Sequence, residues 1–223
     1  MEFYDRQLFH IYNQGNNRRQ IFFSEENYLY FLWKMRSYLI PYGDLVAWCL
    51  MPHHFHWLFF VKKVEIQRST LREHVDHVEQ LRRLKKYGAN ARTVERAHTR
   101  VAKGSDTIIL NDAIGILQKA YARAINKEMG WTGSVFRRKF KAKDGWIDEF
   151  VTLRKPDGRL DSRFMPGTGY AYKCFCYIHD NPKEAGLVNT KEGWAYSSAR
   201  DYAGLRKGTL CNLEMGRDLV SFL

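Results

Sequence analysis

Polar and apolar positions along the chain follow two rhythms, and the rhythms predict the elements. "RQLFHIYNQ" reads as a strand over residues 7–14, closed by a Gly/Asn turn at Gln14 to Asn17. After Ser24, a residue type suited to capping a helix, apolar side chains fall at Tyr28, Phe31, Leu32, Met35, Tyr38 and Leu39. Spacings of three and four place these on one helical face, and Pro41 and Gly43 stop the helix. "DLVAWCLM" and "HFHWLFFVK" read as two strands, and the short link at Pro52 makes them an antiparallel hairpin.

The second half is less regular. From about Glu65 to Gly104 the chain is charged, compatible with helix and weakly patterned, which predicts a basic insertion at about 62–110, helical in part. Asn111 or Asp112 is the expected cap of a helix whose stripe is Ala113, Ile114, Leu117, Tyr121, Ala124 and Ile125, bounded by Gly130 and Gly133. "SVFRRKFKAK" predicts a strand with a basic face, "GWIDEFVTL" a short helix and "RKPDGRLDSRFMPGTG" a loop. "YAYKCFCYIHDN" predicts a helix ending at Pro182, although its aromatics also tolerate a strand, and residues 187–223 an irregular tail with short helical pieces. Alternating helices and strands with one clear hairpin point to a single α+β domain over 1–223, with helices packed on an antiparallel sheet. A ferredoxin-like order is the simplest arrangement.

Charge adds a partner class. The formal net charge is +12, and residues 61–143 hold 20 Lys+Arg against 8 Asp+Glu, so this window carries the whole excess. Basic surface attracts polyphosphate, although a solvated insertion is the plainer alternative and charge does not separate DNA from RNA. No apolar run approaches the roughly 20 residues needed to cross a bilayer, and "MEFYDRQLFH" lacks the apolar core of a secretory signal. No membrane partner is expected. Cys49, Cys174, Cys176 and Cys211 form no CxxC pair, which favours reduced thiols in a cytoplasmic protein.

The candidate chemistry lies in "MPHHFHWLFF", residues 51–60. On a strand, residues two apart share a face, so His54 and His56 project together while His53 falls in the turn. Two imidazoles so placed suit a divalent cation, and they equally suit two satisfied core histidines. No H-E-x-x-H is present to make a zinc hydrolase. In "CYIHDNP", Tyr177 and Asn181 are four apart and share a helical face. An amide oxygen there can complete a two-histidine site with a phenol beside it. The alternative is a core tyrosine and a helix-capping Asn.

"HIYNQGNNRRQIFF", "MPHHFHWLFF", "YARAINKEMGWTGSVFRRKFKA", "YIHDNPKEAGLV" and "WAYSSARDY" occur in the order seen in IS200-like (Y1) transposases. Among these the set most resembles the REP-associated tyrosine transposases. The resemblance spans about residues 7–202, except 62–110 and 144–169. It implies a ferredoxin-like domain of the HUH endonuclease type that cuts single-stranded DNA, often near hairpins, and transfers the strand. It implies His54 and His56 as ligands of Mg²⁺ or Mn²⁺ and Tyr177 as nucleophile. Asn181 falls where IS200/IS605 enzymes have a Gln that helps hold the metal and the REP-associated branch commonly has Asn. One departure stands out: His53 replaces the Asn of the usual M-P-N-H, which puts an extra imidazole near the ligand set.

The implied chemistry suits these residue types. A phenol of pKa about 10 is a weak nucleophile at neutral pH, so polarisation of the phosphate by a cation matters. Attack by Tyr177 yields a 5′-phosphotyrosine and a free 3′-OH, and a second 3′-OH reverses the step without ATP. Arg137, Arg138, Lys139, Lys141 and Lys143, interleaved with Phe136 and Phe140, are the expected phosphate contacts, with Phe136 and Phe140 themselves more readily core than stacking platforms. Arg18 and Arg19 join them beside the Asn/Gly turn. In "EGWAYSSARDY", Trp194 anchors the tail and Ser197 and Ser198 cap a short helix; with no histidine partner in view, a catalytic serine is not expected. The rivals to a transposase are a domesticated nucleic-acid-binding protein that does not cut, and an HUH replication initiator or relaxase. A homodimer is one expected state and a monomer the other. Localisation follows the partner: cytoplasmic, at the nucleoid.

Overall fold

The structure, a computed structural model, describes residues 2–88, 106–144 and 169–221. Its main sheet is formed by β1 (Gln7–Gln14), β2 (Gly43–Met51), β3 (His54–Val61) and a late edge strand, β6 (Lys141–Asp144), in the order β2-β3-β1-β6. All neighbours are antiparallel. With α1 (Glu25–Tyr38) and α3 (Leu110–Met129) between them, the chain runs β-α-β-β-α-β, the ferredoxin-like order. A two-stranded ribbon, β4 (Glu65–Gln67) with β5 (Thr107–Ile109), brackets α2 (Arg68–Tyr87).

Strand alternation decides what each face of the sheet does. Ile11, Phe55, Trp57 and Phe59 point to one side and form the main core with Tyr28, Phe31 and Met35 of α1 and with Ala113, Ile114, Leu117, Tyr121 and Ile125 of α3. Ala124 of the expected stripe is only half-buried. Leu8, Ala47, Cys49, Met51 and Leu58 point to the other side, where α4 (Tyr170–Glu184) covers them with Ala171, Cys174, Phe175 and Ile178. His54 and His56 share this second face, so α4 is laid beside them. Each fully buried large side chain contributes about 1.5–3 kcal/mol, enough for both helices to be held by packing alone.

Local signals explain most boundaries. Ser24 Oγ accepts the Asn27 N–H at 3.3 Å and caps α1. Gly130 (φ 66°) ends α3 in the left-handed conformation that glycine adopts freely. Gly15 is required for another reason: a Cβ there would run into the Arg19 carbonyl oxygen. The chain then passes through two left-handed residues, Asn17 (φ 53°) and Arg18 (φ 59°).

Four expectations are corrected. The helix expected to be capped by Asn111 or Asp112 starts at Leu110 with Ile109 as its N-cap, because Ile109 is still paired with Glu65 in the ribbon. The insertion is better patterned than its charge suggests: Leu71, Val75 and Val78 make one stripe of α2, and α2 lies against α1. "SVFRRKFKAK" is a strand only from Lys141; before that Asn16 N–H bonds Val135 O and Arg137 N–H bonds Gln14 O, so the loop is pinned to the end of β1. The fourth concerns Pro182, which does not end α4. It forgoes one amide donor, and the turn beyond it is held by Ala185 N–H to Asn181 O and Gly186 N–H to Lys183 O. The helix expected at "GWIDEFVTL", and nearly all of the loop after it, lie outside the described residues.

The tail is tied down by polar contacts. Trp194 Nε1 donates to Leu50 O at 2.9 Å, and Tyr202 Oη donates to Val46 O at 2.6 Å. Arg206 clasps Asp201 through both carboxylate oxygens and donates to the carbonyls of Ala195 and Ser197. A short helix, α5 (Ala199–Tyr202), and a final one, α6 (Leu213–Ser221), complete the chain. Among the described residues no helix is long and apolar enough to cross a membrane.

Candidate active site

Strand register assembles the site. In the β1–β3 pairing Tyr12 lies opposite His56 and Gln14 opposite His54, while in β1–β6 Lys143 lies opposite His10. His10, Tyr12, Gln14, His54 and His56 therefore share the face that α4 borders. Tyr177, one side of α4, brings its ring centroid to 5.3 Å from His56 and 6.0 Å from His10. His54 and His56 sit with centroids 4.9 Å apart. The result is a cleft of about 700 Å³ lined by Tyr12, Gln14, Arg18, His54, His56, Tyr177 and Asn181, together with Gln20, Pro52 and His53.

Tyr177 is 45% exposed, so its phenol is open to a ligand, whereas His56 is 5% exposed. Asn181, one turn after Tyr177, donates Nδ2 to the Tyr177 carbonyl at 2.9 Å. Its remaining amide oxygen faces His54, a hydrogen bond that by itself would favour a charged ring. Burial outweighs it and, helped by the neighbouring His53, pushes His54 down to about 4. Burial and the adjacent His10 and His54 rings hold His56 well below the ordinary histidine value. Burial, then the Lys143 ammonium, lowers His10 to about 4. All three rings are neutral at pH 7, the state in which imidazole offers a lone pair.

His10 is the residue that sequence reasoning missed. Its Nε2 lies 2.9 Å from His56 Nδ1, both rings buried and stacked at 5.1 Å. One of two neutral imidazoles must donate. If His56 donates from Nδ1, its Nε2 keeps the lone pair. Tyr12 was missed as well: it is a second phenol in the cleft, half-buried, with burial and then the neighbouring Tyr177 raising its pKa. Neither residue carries a local signal, because their contact with the histidines is made by cross-strand register.

The chemistry of the donor set fits a divalent cation. Among the described residues no three His, Cys, Asp or Glu side chains converge as ligands. Two neutral imidazoles and an amide oxygen are instead a partial, uncharged set. A cation held by such a set would keep positions open for phosphate oxygens.

The expected phosphate contacts divide into groups. Arg18 lines the cleft. Arg137, Arg138 and Lys139 are exposed and line a second groove beside α3. Arg137 N–H donates to the Gln14 carbonyl at 2.9 Å, and this backbone bond joins the groove to the cleft. Lys141 and Lys143 flank Tyr12 and His10 on the edge strand. Arg19 lines neither hollow; its guanidinium donates to Ser134 O at 2.5 Å and stacks over Trp131.

The serines are corrected in one respect. Ser198 does have a histidine partner, His179 Nε2 at 2.7 Å. Yet Ser198 is fully buried and its hydroxyl accepts the Trp48 N–H at 2.9 Å, so the pair locks the tail to β2 and is closed to any substrate.

No protein-family model and no curated protein matches the chain. A solved structure of a REP-associated tyrosine transposase bound to a REP hairpin aligns with 92% of this chain and 83% of its own, at 11% sequence identity and a TM-score of 0.49.

Proposed function

We propose that the protein is a single-strand DNA endonuclease and strand transferase of the tyrosine HUH type. The observation that carries this reading is one cleft holding an accessible phenol, Tyr177, against two neutral histidines on adjacent inward positions of β3. The ordered motifs that resemble the Y1 transposases support it, and so does the basic surface that leads away from the cleft.

His54, His56 and Asn181 would hold Mg²⁺ or Mn²⁺, which when bound supplies charge neutralisation at the scissile phosphate. Tyr177 Oη attacks phosphorus in line. The new Oη–P bond replaces the P–O3′ bond, leaving a 5′-phosphotyrosine and a 3′-OH. The phenol proton leaves to solvent through the open cleft, and the departing 3′-oxygen takes a proton from water. A second 3′-OH reverses these steps and restores the phenol. His10 accepts from His56 Nδ1–H and so keeps His56 Nε2 as the lone-pair face. Asn181 acts twice, through Nδ2 on the Tyr177 carbonyl and through its oxygen toward His54, which couples nucleophile and ligand positions. Arg18, and Arg137 tied to Gln14 through its backbone N–H, are placed for the phosphates. An unpaired strand is the fitting substrate, because an intact duplex does not bend sharply enough to bring a phosphate to Tyr177 in the cleft; a hairpin would supply unpaired nucleotides at its foot or loop.

The test is a labelled single-stranded oligonucleotide set containing hairpins, incubated with Mn²⁺ and run under denaturing conditions. A covalent protein–DNA band that chelation of the metal abolishes is expected. Failure of wild type to form such a band on a broad set refutes the proposal and favours a non-cutting nucleic-acid binder.

A further inference from the structure

The cutting reaction uses one phenol of a cleft that holds two. Tyr12 and Tyr177 rest on the same pair of imidazoles. The Tyr12 ring centroid lies 5.5 Å from His56 and 5.2 Å from His10, and the Tyr177 centroid lies 5.3 Å and 6.0 Å from the same two rings. The two phenols arrive from different elements. Tyr12 stands on β1 directly opposite His56, one strand spacing of about 4.8 Å away, whereas Tyr177 comes from α4. Ile11 and Ala142 beside it point into the main core, so alternation commits Tyr12 to the α4 face.

Their settings suit different tasks. Tyr177 is exposed on a helix edge, as a group that must form a bond to DNA has to be. Tyr12 is half-buried on a strand paired on both sides, and the two histidine rings hold its own ring in place. A phenylalanine would pack there equally well; the hydroxyl is what packing leaves unexplained. Phosphate chemistry supplies a use for it. Under in-line attack, negative charge spreads over the equatorial oxygens of the phosphate, two of them non-bridging. A cation held by His54, His56 and Asn181 would answer one. The other calls for a donor between the ligand strand and the nucleophile, and a phenol, protonated at neutral pH, is such a donor. Gln14 is a register step away, opposite His54, and Arg18 lies beyond it in an exposed turn, so neither of them is placed on the His10–His56 pair as Tyr12 is.

We propose that Tyr12 is a second catalytic residue, whose Oη–H donates a hydrogen bond to the non-bridging oxygen of the scissile phosphate that the cation does not hold, and so fixes the phosphate for attack by Tyr177. The inference rests on the single-strand DNA reading above. No bond to Tyr12 forms and no proton leaves it, so the bonds made and broken in the cutting reaction are unchanged.

The test is single-turnover adduct formation by the full chain, on a hairpin oligonucleotide whose scissile phosphate is either ordinary or one of the two phosphorothioate diastereomers. Tyr12→Phe removes one oxygen and keeps the ring. It should reach the same Tyr177 adduct about 100-fold more slowly, with Mn²⁺ affinity unchanged. Sulfur accepts hydrogen bonds poorly and binds Mn²⁺ better than Mg²⁺. With wild type, one diastereomer should therefore be slow in Mg²⁺ and recover in Mn²⁺, which marks the cation's oxygen. The other should be slow in both, which marks the donor's oxygen, and only this second penalty should vanish in Tyr12→Phe. A purely structural Tyr12 would leave the two penalties as they are. A wild-type rate in Tyr12→Phe overturns the inference, and so does a rate loss matched by an equal loss of Mn²⁺ affinity or a diastereomer pattern that the substitution leaves unchanged; each of these leaves the cutting reaction standing. Absence of any adduct with wild type refutes the cutting reaction and the role of Tyr12 with it.

Discussion

His10→Leu tests how the His56 nitrogen proposed to face the metal is chosen. The substitution roughly keeps the volume between β1 and β3 but removes the ring nitrogen 2.9 Å from His56 Nδ1, the acceptor in the proposed tautomer. His56 is buried and its ring stacks on His10, so water does not simply replace the lost partner. Leaving a buried N–H unpaired costs about 1–3 kcal/mol. His56 can avoid that cost by moving its proton to Nε2, and this removes the lone pair from the cleft. A bias of about 1.4–2.8 kcal/mol against the ligating tautomer is a 10- to 100-fold loss of metal affinity, the range typical of lost partners behind histidine ligands. Long-range proton–nitrogen spectra of metal-free protein read the tautomer directly, and a Mn²⁺ titration reads the affinity. Wild type should show His56 protonated at Nδ1. His10→Leu should shift it toward Nε2–H and weaken Mn²⁺ at least tenfold, and His10→Gln, which restores an acceptor, should recover most of the loss. A folded His10→Leu protein with the wild-type tautomer and wild-type Mn²⁺ affinity would refute the reasoning.

Ser198→Ala should lower stability by about 1–3 kcal/mol, since it strips a buried partner from the Trp48 N–H and from His179, while adduct formation per folded molecule stays at the wild-type level; a chemical-denaturation curve and the covalent assay check both halves. Acid should destabilise the metal-free protein in a defined window. Burial holds His10 down to about 4 and His179 down to about 3, against 6.5 when unfolded, so below pH 6.5 the unfolded chain binds protons the native state refuses. Stability is full above pH 6.5 and falls at about 1.4 kcal/mol per pH unit for each such histidine until the pH passes its folded pKa. Equal denaturation midpoints at pH 6.5 and pH 4.5 would contradict this, and His179→Gln should reduce the slope by one proton.

The site is partly legible in the sequence. His54 and His56 announce themselves because a strand has a period of two, and Tyr177 with Asn181 because a helix turns once in about four residues. Both are local rules. What escaped is what register decides. His10 is 46 residues from His56 and meets it because β1 pairs with β3 in one register, which no short stretch of sequence encodes. Likewise His179 and Ser198 look like a helix residue and a cap until α4 and the tail are both packed on β2. The basic stretch at 134–143 misled for a related reason: its alternation is real, but the end of β1 captures Val135 and Arg137 before a strand can begin. In α2 the charged residues concealed a sparse stripe that only α1 makes meaningful.

The central claim is that Tyr177, and not the second phenol in the cleft, forms the bond to DNA. Mass spectrometry of the trapped adduct, after nuclease trimming and trypsin, locates that bond. The account predicts a nucleotide phosphate on the peptide of residues 174–183, attached to Tyr177, with Tyr12→Phe still forming the adduct and Tyr177→Phe forming none. A phosphate found on Tyr12, or an adduct that survives Tyr177→Phe, would contradict it.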